Sequence, residues 1–133
     1  MILATDFKCF VKILFSVCLL FFQRASIFAQ NQKVADSLVK IYQKNKLENS
    51  EKLELLRNLS FNEVNNLELS LKYADELIAL SKLEKNYLYL HRGYNQKGNK
   101  NRLIGDLKKA LNDFFKSAEA ASKADWSQRL RSP

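Results

Sequence analysis

Four hydrogen-bond donors recur at helical spacing in the second half of the chain. Arg92, Asn95, Asn99 and Arg102 stand at steps of three, four and three. On an α-helix those steps put them on one face, roughly opposite Leu90 and Tyr94. Guanidinium forks and side-chain amides in a row suit the carboxylate or the backbone of a peptide. An ordinary solvated helix face has the same pattern, so the stripe is a candidate for binding and carries no catalytic group.

Other residues that could do chemistry fall short of it. Gly93-x4-Gly98-Asn99-Lys100 misses a phosphate loop by one position, because the lysine must follow the second glycine directly, between a strand and a helix. His91 is the single histidine and has no second histidine or cysteine beside it. Asp75-Glu76 shares an exposed helix face with no arrangement suited to acid–base work. Asn58-Leu59-Ser60 satisfies a glycosylation sequon but falls inside a helical pattern. Both cysteines, Cys9 and Cys18, lie in the first 20 residues, which leaves no disulfide framework or thiol site beyond them. With no nucleophile–base pair, ligand cluster or phosphate loop, the expectation is a non-enzyme without cofactor or metal.

The elements that hold these residues follow from composition. Hydrophobic residues make up 47% of 133, enough for one small domain. Three glycines and a single, terminal proline are too few for the turns of a β or α/β fold. The chain therefore reads as all-α, with about five helices after a leader. Their expected spans are 32–44, a second opening at Ser50 as N-cap, 68–83, 87–102 and 107–123. The first carries Val34, Leu38, Ile41 and Tyr42 as its apolar set. The last carries Leu107, Ala110, Leu111, Phe114, Ala118 and Ala121. Gly105 ends the fourth helix and Asp106 caps the fifth. Short connections make the helices antiparallel hairpins.

Residues 1–29 read as a secretory signal peptide. Lys8 and Lys12 precede an apolar run from Ile13 to Phe22, and Ala25-Ser26-Ile27-Phe28-Ala29 leads to cleavage between Ala29 and Gln30. Gln23 and Arg24 stop the run well short of the roughly 20 residues a spanning helix needs. Charge is uneven beyond it. Residues 30–84 hold 8 basic and 9 acidic side chains, and residues 85–133 hold 11 and 4. Lys97, Lys100, Arg102, Lys108 and Lys109 form a basic cluster along the sequence. Nucleic acid is conceivable on charge alone, but export and the lack of any nucleic-acid motif argue against it. An acidic peptide or anionic membrane surface fits better, and a solubilising surface better still.

A period emerges in the helix pairs. Tyr94-x2-Lys97-Gly98-x2-Asn101 is followed by Gly105-Asp106-Leu107-x2-Ala110-x3-Phe114-x2-Ser117. This resembles the tetratricopeptide repeat, in which small residues sit where two helices approach and an aromatic fills the gap between hairpins. Tyr94, Gly98, Gly105, Ala110 and Phe114 match its packing positions. Lys97 and Asn101 depart from its leucine and aromatic, and Ser122 stands in place of its proline. An upstream unit with Phe61, Ser70 and Ala74 fits in character. Ser70 to Ala110 spans 40 residues where the usual repeat has 34.

The resemblance implies an α-solenoid: an N-terminal helix over 30–49, two helix pairs over 50–123 and a tail over 124–133. It implies a concave face lined by the first helix of each pair, with Arg92, Asn95, Asn99 and Arg102 on it. Its implied partner is a protein or peptide, acidic or with a free carboxylate. The leader followed by repeats is also similar to exported sensor segments of bacterial signalling proteins, located in the periplasm or secreted, or membrane-anchored where the leader is retained. The alternative is a structural or truncated piece of such a protein with no binding of its own. Two repeats and an extra helix bury less than the three usually needed, so marginal stability or self-association is expected, with Phe114 and Phe115 partly exposed.

Overall fold

The computed structural model describes residues 31–44 and 46–129. The leader over 1–29, its cleavage point at Ala29 and Gln30, and residues 130–133 of the tail lie outside the described residues. Every regular element among the described residues is a helix: α1 over 31–44, α2 Asn49–Asn62, α3 Leu67–Leu83, α4 Tyr87–Ile104 and α5 Leu107–Arg129. No helix among them is long and apolar enough to cross a membrane.

The turns explain where helices stop. Asn66 and Asn86 cap α3 and α4 by accepting from the backbone N–H of Leu69 at 2.9 Å and Tyr89 at 3.3 Å. Asp106 does the same for α5, accepting from Lys109 N–H at 3.0 Å. Gly105 takes a left-handed conformation, φ +90°, as expected of a residue that closes α4. There Gly105 N–H donates to Arg102 O and Asp106 N–H to Asn101 O. The α3–α4 turn repeats this bonding, with Lys85 N–H to Lys82 O and Asn86 N–H to Ser81 O, but its left-handed residue is Lys85, φ +50°. Ser50 is not the cap of α2. Glu48 holds that place in extended conformation without a side-chain bond, and Ser50 lies inside the first turn.

The apolar core sits between the first three helices. Leu53, Leu55, Leu56 and Leu59 of α2 meet Tyr73 and Leu77 of α3, and Leu38, Val39 and Tyr42 of α1 pack over them. Tyr42 meets the Tyr73 ring edge-on at 5.4 Å and donates to Glu76 at 2.7 Å. That acceptor, followed by burial and by the charge of Glu76, pushes the Tyr42 hydroxyl up to about 12. Val34 and Ile41, expected inside, are 42% and 43% exposed, because α1 turns Ala35, fully buried, toward the core instead. Phe61, a position that fits the upstream repeat, is 54% exposed.

α4 packs on both α2 and α3, and its broadest contact is with α5. That last seam is made of small and polar residues and one aromatic, Phe114. Ala110, Asp113, Ser117 and Ala120, at steps of three, four and three, form the buried line of α5. The expected face of α5 is therefore corrected. Ala110 is buried, but Leu107 and Leu111 are 67% and 58% exposed and Ala118 also faces out. Two hydrogen-bonded clamps explain the rotation. Asn101 donates to Asp113 at 2.8 Å, and Ser117 Oγ lies 2.8 Å from His91 Nδ1 and 3.1 Å from the His91 carbonyl. Helix α5 also runs past Lys123, since no glycine or proline stops it before its end at Arg129.

Candidate binding face on α4

Helix α4 is surrounded on three sides, and each side has its own chemistry. Toward α2 it sends Tyr89 and Lys100. Toward α3 it sends Gly93 and Lys97. Toward α5 it sends His91, Gly98 and Asn101. Arg92, Asn95, Asn99 and Arg102 lie on the remaining sector; the first three are half-buried and Arg102 is exposed.

Two glycines make the close approaches possible. A Cβ at Gly93 would sit 2.8 Å from Ile78 Cγ1 and 3.4 Å from the Ile78 backbone nitrogen. One at Gly98 would sit 2.8 Å from the Phe114 ring. Phe114 therefore packs against Gly98 inside the α4–α5 hairpin, whereas the repeat resemblance implies that it fills a gap between neighbouring hairpins. The Tyr94 ring lies between two ammonium groups, Lys82 of α3 and Lys116 of α5, each 5.7 Å from its centre. Each contributes a cation–π contact worth about 0.5–1 kcal/mol at an exposed site.

The four donors are not equally available. Arg92 stacks over the Tyr89 ring at 5.1 Å, and its Nη1 lies 4.0 Å from Glu54 Oε2 on α2. Glu54 is the centre of a network, accepting from Arg57 Nη2 at 2.7 Å, Tyr89 OH at 2.8 Å and Asn58 Nδ2 at 3.2 Å. Burial alone would push its carboxyl up. The hydrogen bonds from Tyr89 and Arg57, with the Arg57 charge, outweigh burial and hold it below the usual carboxylate range. Burial, then the Glu54 bond, raises the Tyr89 hydroxyl. Asn99 donates to Asn95 at 3.0 Å, one turn away. Arg102 is the donor that stands most in solvent. The face is therefore a row of amides and a guanidinium beside a network already tied to α2.

The basic cluster does not come together. Lys97 pairs with Asp75 of α3 at 2.6 Å, and Lys109 with Asp106 at 2.7 Å. Lys100 is 5% exposed and donates to the Glu63 carbonyl at 3.0 Å. Its neighbours in sequence point to different helices because consecutive helical residues are about 100° apart. Arg102 and Lys108 remain exposed.

A cleft of about 710 Å³ opens elsewhere, between the α3–α4 turn and the last turns of α5, lined by Lys85, Tyr87, His91 and Ala124 among others. None of the four donors lines it. His91 at its edge is engaged with Ser117, which is 3% exposed and so shielded from any substrate in the cleft. Among the described residues no group of three His, Cys, Asp or Glu could hold a metal ion.

No family model, curated protein or solved structure matches this chain.

Several groups that build this face escaped the sequence reading. Glu54, Arg57 and Asn58 stand at i, i+3 and i+4, the spacing of a helix-surface network, and that was the available signal. Gly98 was expected at a close approach, and Gly93, about 140° from it on a helix wheel, marks a second one that was not. Nothing local signalled that Lys100 is buried.

Proposed function

We propose that this chain is an exported, non-catalytic protein- or peptide-binding module built from tetratricopeptide-like helix pairs. Its ligand is an acidic segment or a free carboxyl terminus, held along Asn95, Asn99 and Arg102. The observation that carries the reading is the sector of α4 holding these donors, which packing on α2, α3 and α5 does not use. Arg92 adds positive charge at one end, positioned by Glu54 and Tyr89. Support for the repeat comes from the contact of α4 with both α2 and α3, the Gly98–Phe114 approach and the Gly105-Asp106 turn. The leader pattern supports export to the periplasm or beyond the cell, as the resemblance to bacterial sensor segments implies.

The test is fluorescence anisotropy with labelled acidic peptides made in two forms, one with a free carboxyl terminus and one amidated. The free acid should bind more tightly. Arg102→Glu with Asn99→Ala should weaken it by at least about tenfold, since hydrogen bonds to a charged group are worth about 1.5–3 kcal/mol each. Helicity should not change. Equal binding of both peptide forms, or an unaltered affinity in the double variant, counts against the reading.

A further inference from the structure

The largest feature that neither the core nor the donor face uses is the outer side of α5. Leu107, Leu111, Phe115, Ala118, Ser122 and Trp126 are all exposed. Leu107, Leu111, Phe115 and Trp126 show 67%, 58%, 68% and 63% of their surface. Their steps of four, four, three, four and four make an 11-residue repeat, about 3.67 residues per turn, close to the helix's own period. The stripe therefore stays on one face along about 28 Å of helix. Leu103 and Ile104 at the end of α4, 60% and 52% exposed, add to exposed apolar surface near its start. The four large side chains of the stripe leave exposed apolar surface on the order of a few hundred Å², the size of patch that marks an interaction site.

We propose that this face docks a second copy of the chain, with the two α5 helices antiparallel about a two-fold axis passing between residues 116 and 117. The order of residues in the stripe selects this occupant. Reversal about that point sets Phe115 opposite Ala118 of the second copy and Leu111 opposite Ser122. At these central positions each bulky side chain meets a small one, as interdigitated packing requires. Trp126 closes over Leu107 at both ends. A parallel pairing would set Phe115 on Phe115, Trp126 on Trp126 and Ser122 on Ser122, with clashes and a gap. Lys108 lies on the same border of the stripe as Trp126, so the reversal brings its ammonium beside the indole of the second copy, where a cation is attracted. A head-to-tail contact with α1 offers only Val34 and Ile41 as exposed large apolar residues, and would leave an open chain of copies. An isologous contact closes on itself.

The experiment is light scattering after size exclusion on the full 133-residue chain, in three forms: wild type, Leu111→Glu, and Leu111→Glu with Ser122→Arg. The wild type should elute as a dimer. Leu111→Glu should weaken dimerisation by at least about tenfold with helicity retained. The double variant should restore it, because residues 111 and 122 are far apart within one chain and face each other only in the antiparallel register. A photo-crosslinking p-benzoylphenylalanine at position 115 should attach to the peptide containing Ala118 of the second copy. The crosslink still reports if Leu111→Glu fails to fold. A wild-type monomer, species larger than a dimer, an unrestored double variant, or a crosslink to residues 1–30 or to α1 would each overturn the proposal.

Discussion

The Lys100 ammonium, carried by α4, donates to the backbone carbonyl of Glu63 in the α2–α3 turn at 3.0 Å, with both residues buried. The same Glu63 orders that turn through its carboxylate, which accepts from Asn65 and Asn66 N–H at 3.1 and 2.9 Å and from Gln32 Nε2 of α1 at 3.2 Å. Three helices are thus tied at one point. Burial pulls the Lys100 ammonium below its ordinary value of 10.5, and the nearby Glu63 charge only partly opposes that.

That direction fixes a pH dependence. A lysine whose folded pKa is depressed is penalised while protonated, and the unfolded chain holds more protons in the window below 10.5. Its contribution to stability therefore rises with pH from the folded value toward 10.5. Chemical denaturation from about pH 7 to pH 10 should show this as a difference between wild type and Lys100→Met, in which the slope is lost. Lys100→Arg should also lack it, since guanidinium stays charged throughout. Parallel slopes in wild type and Lys100→Met would contradict the burial of this cation.

The approach of α4 to α5 at Gly98 should tolerate no larger residue. Gly98→Ala places a methyl 2.8 Å from the Phe114 ring. Overpacking of this kind costs about 1–3 kcal/mol, while alanine returns nearly 1 kcal/mol of helix propensity. A net loss of up to about 2 kcal/mol is expected. Adding Phe114→Leu should recover part of it, so the pair should be non-additive in a double-mutant cycle.

Two turns with one bonding pattern invite a comparison. Gly105 occupies its left-handed position freely, whereas Lys85 occupies the matching position in the α3–α4 turn with a side chain. The left-handed region costs a non-glycine residue about 1–2 kcal/mol, and glycine returns 0.5–1 kcal/mol of that through the unfolded chain. Lys85→Gly should therefore raise stability by roughly 0.5–1 kcal/mol. Gly105→Ala should lower it. A thermal melt of the two variants reads both signs.

Helix existence was legible because glycine and proline are nearly absent and because Gly105 and Asp106 mark a stop and a cap, whereas the caps of α3 and α4 at Asn66 and Asn86 came only with the structure. The grouping of Arg92, Asn95, Asn99 and Arg102 was legible from period alone, since four residues at steps of three and four must share a side of any helix. The rotation of α5 was not. Hydrophobicity points Leu107, Leu111 and Ala118 inward, yet Asp113 and Ser117 find hydrogen-bond partners on α4 that only this rotation supplies. A buried polar group without such a partner would cost about 1–3 kcal/mol. Specific partners across a seam decided the face, and a sequence does not display which residues lie across from it. The fate of Lys100 was hidden for the same reason, because its acceptor is a backbone carbonyl 37 positions away.

The Glu54 network makes a prediction at acid pH. Its folded carboxyl lies below the ordinary 4.5, so the stability it supplies is present above that value and is lost as pH falls through the folded value. Glu54→Gln should flatten that part of the acid limb. The effect should be modest, since the side chain is 42% exposed and solvent screens it. Tyr89→Phe, which removes one 2.8 Å bond to the same carboxylate, should cost about 0.5–1.5 kcal/mol. It should also loosen Arg92, raising its availability to an acidic peptide.

The two halves of the molecule are held by different means, and this should appear as a difference in local opening. Helices α1, α2 and α3 share a leucine core with Leu53, Leu56, Leu59 and Leu77 essentially without exposure. Helix α5 touches α4 through alanines, one aromatic and two hydrogen-bonded clamps, and leaves its leucines outside. Apolar burial supplies about 25 cal/mol per Å², so α5 gains less from docking than α2 or α3. Regions with few buried apolar contacts open at lower free energy. In hydrogen–deuterium exchange at low protein concentration, amides of α5 should exchange before those of α2 and α3. Raising the concentration should slow α5 selectively if its outer face is covered by a second copy, and Leu111→Glu should abolish that dependence. Uniform protection across all five helices at every concentration would show that the polar seam holds α5 as firmly as the leucine core holds α2.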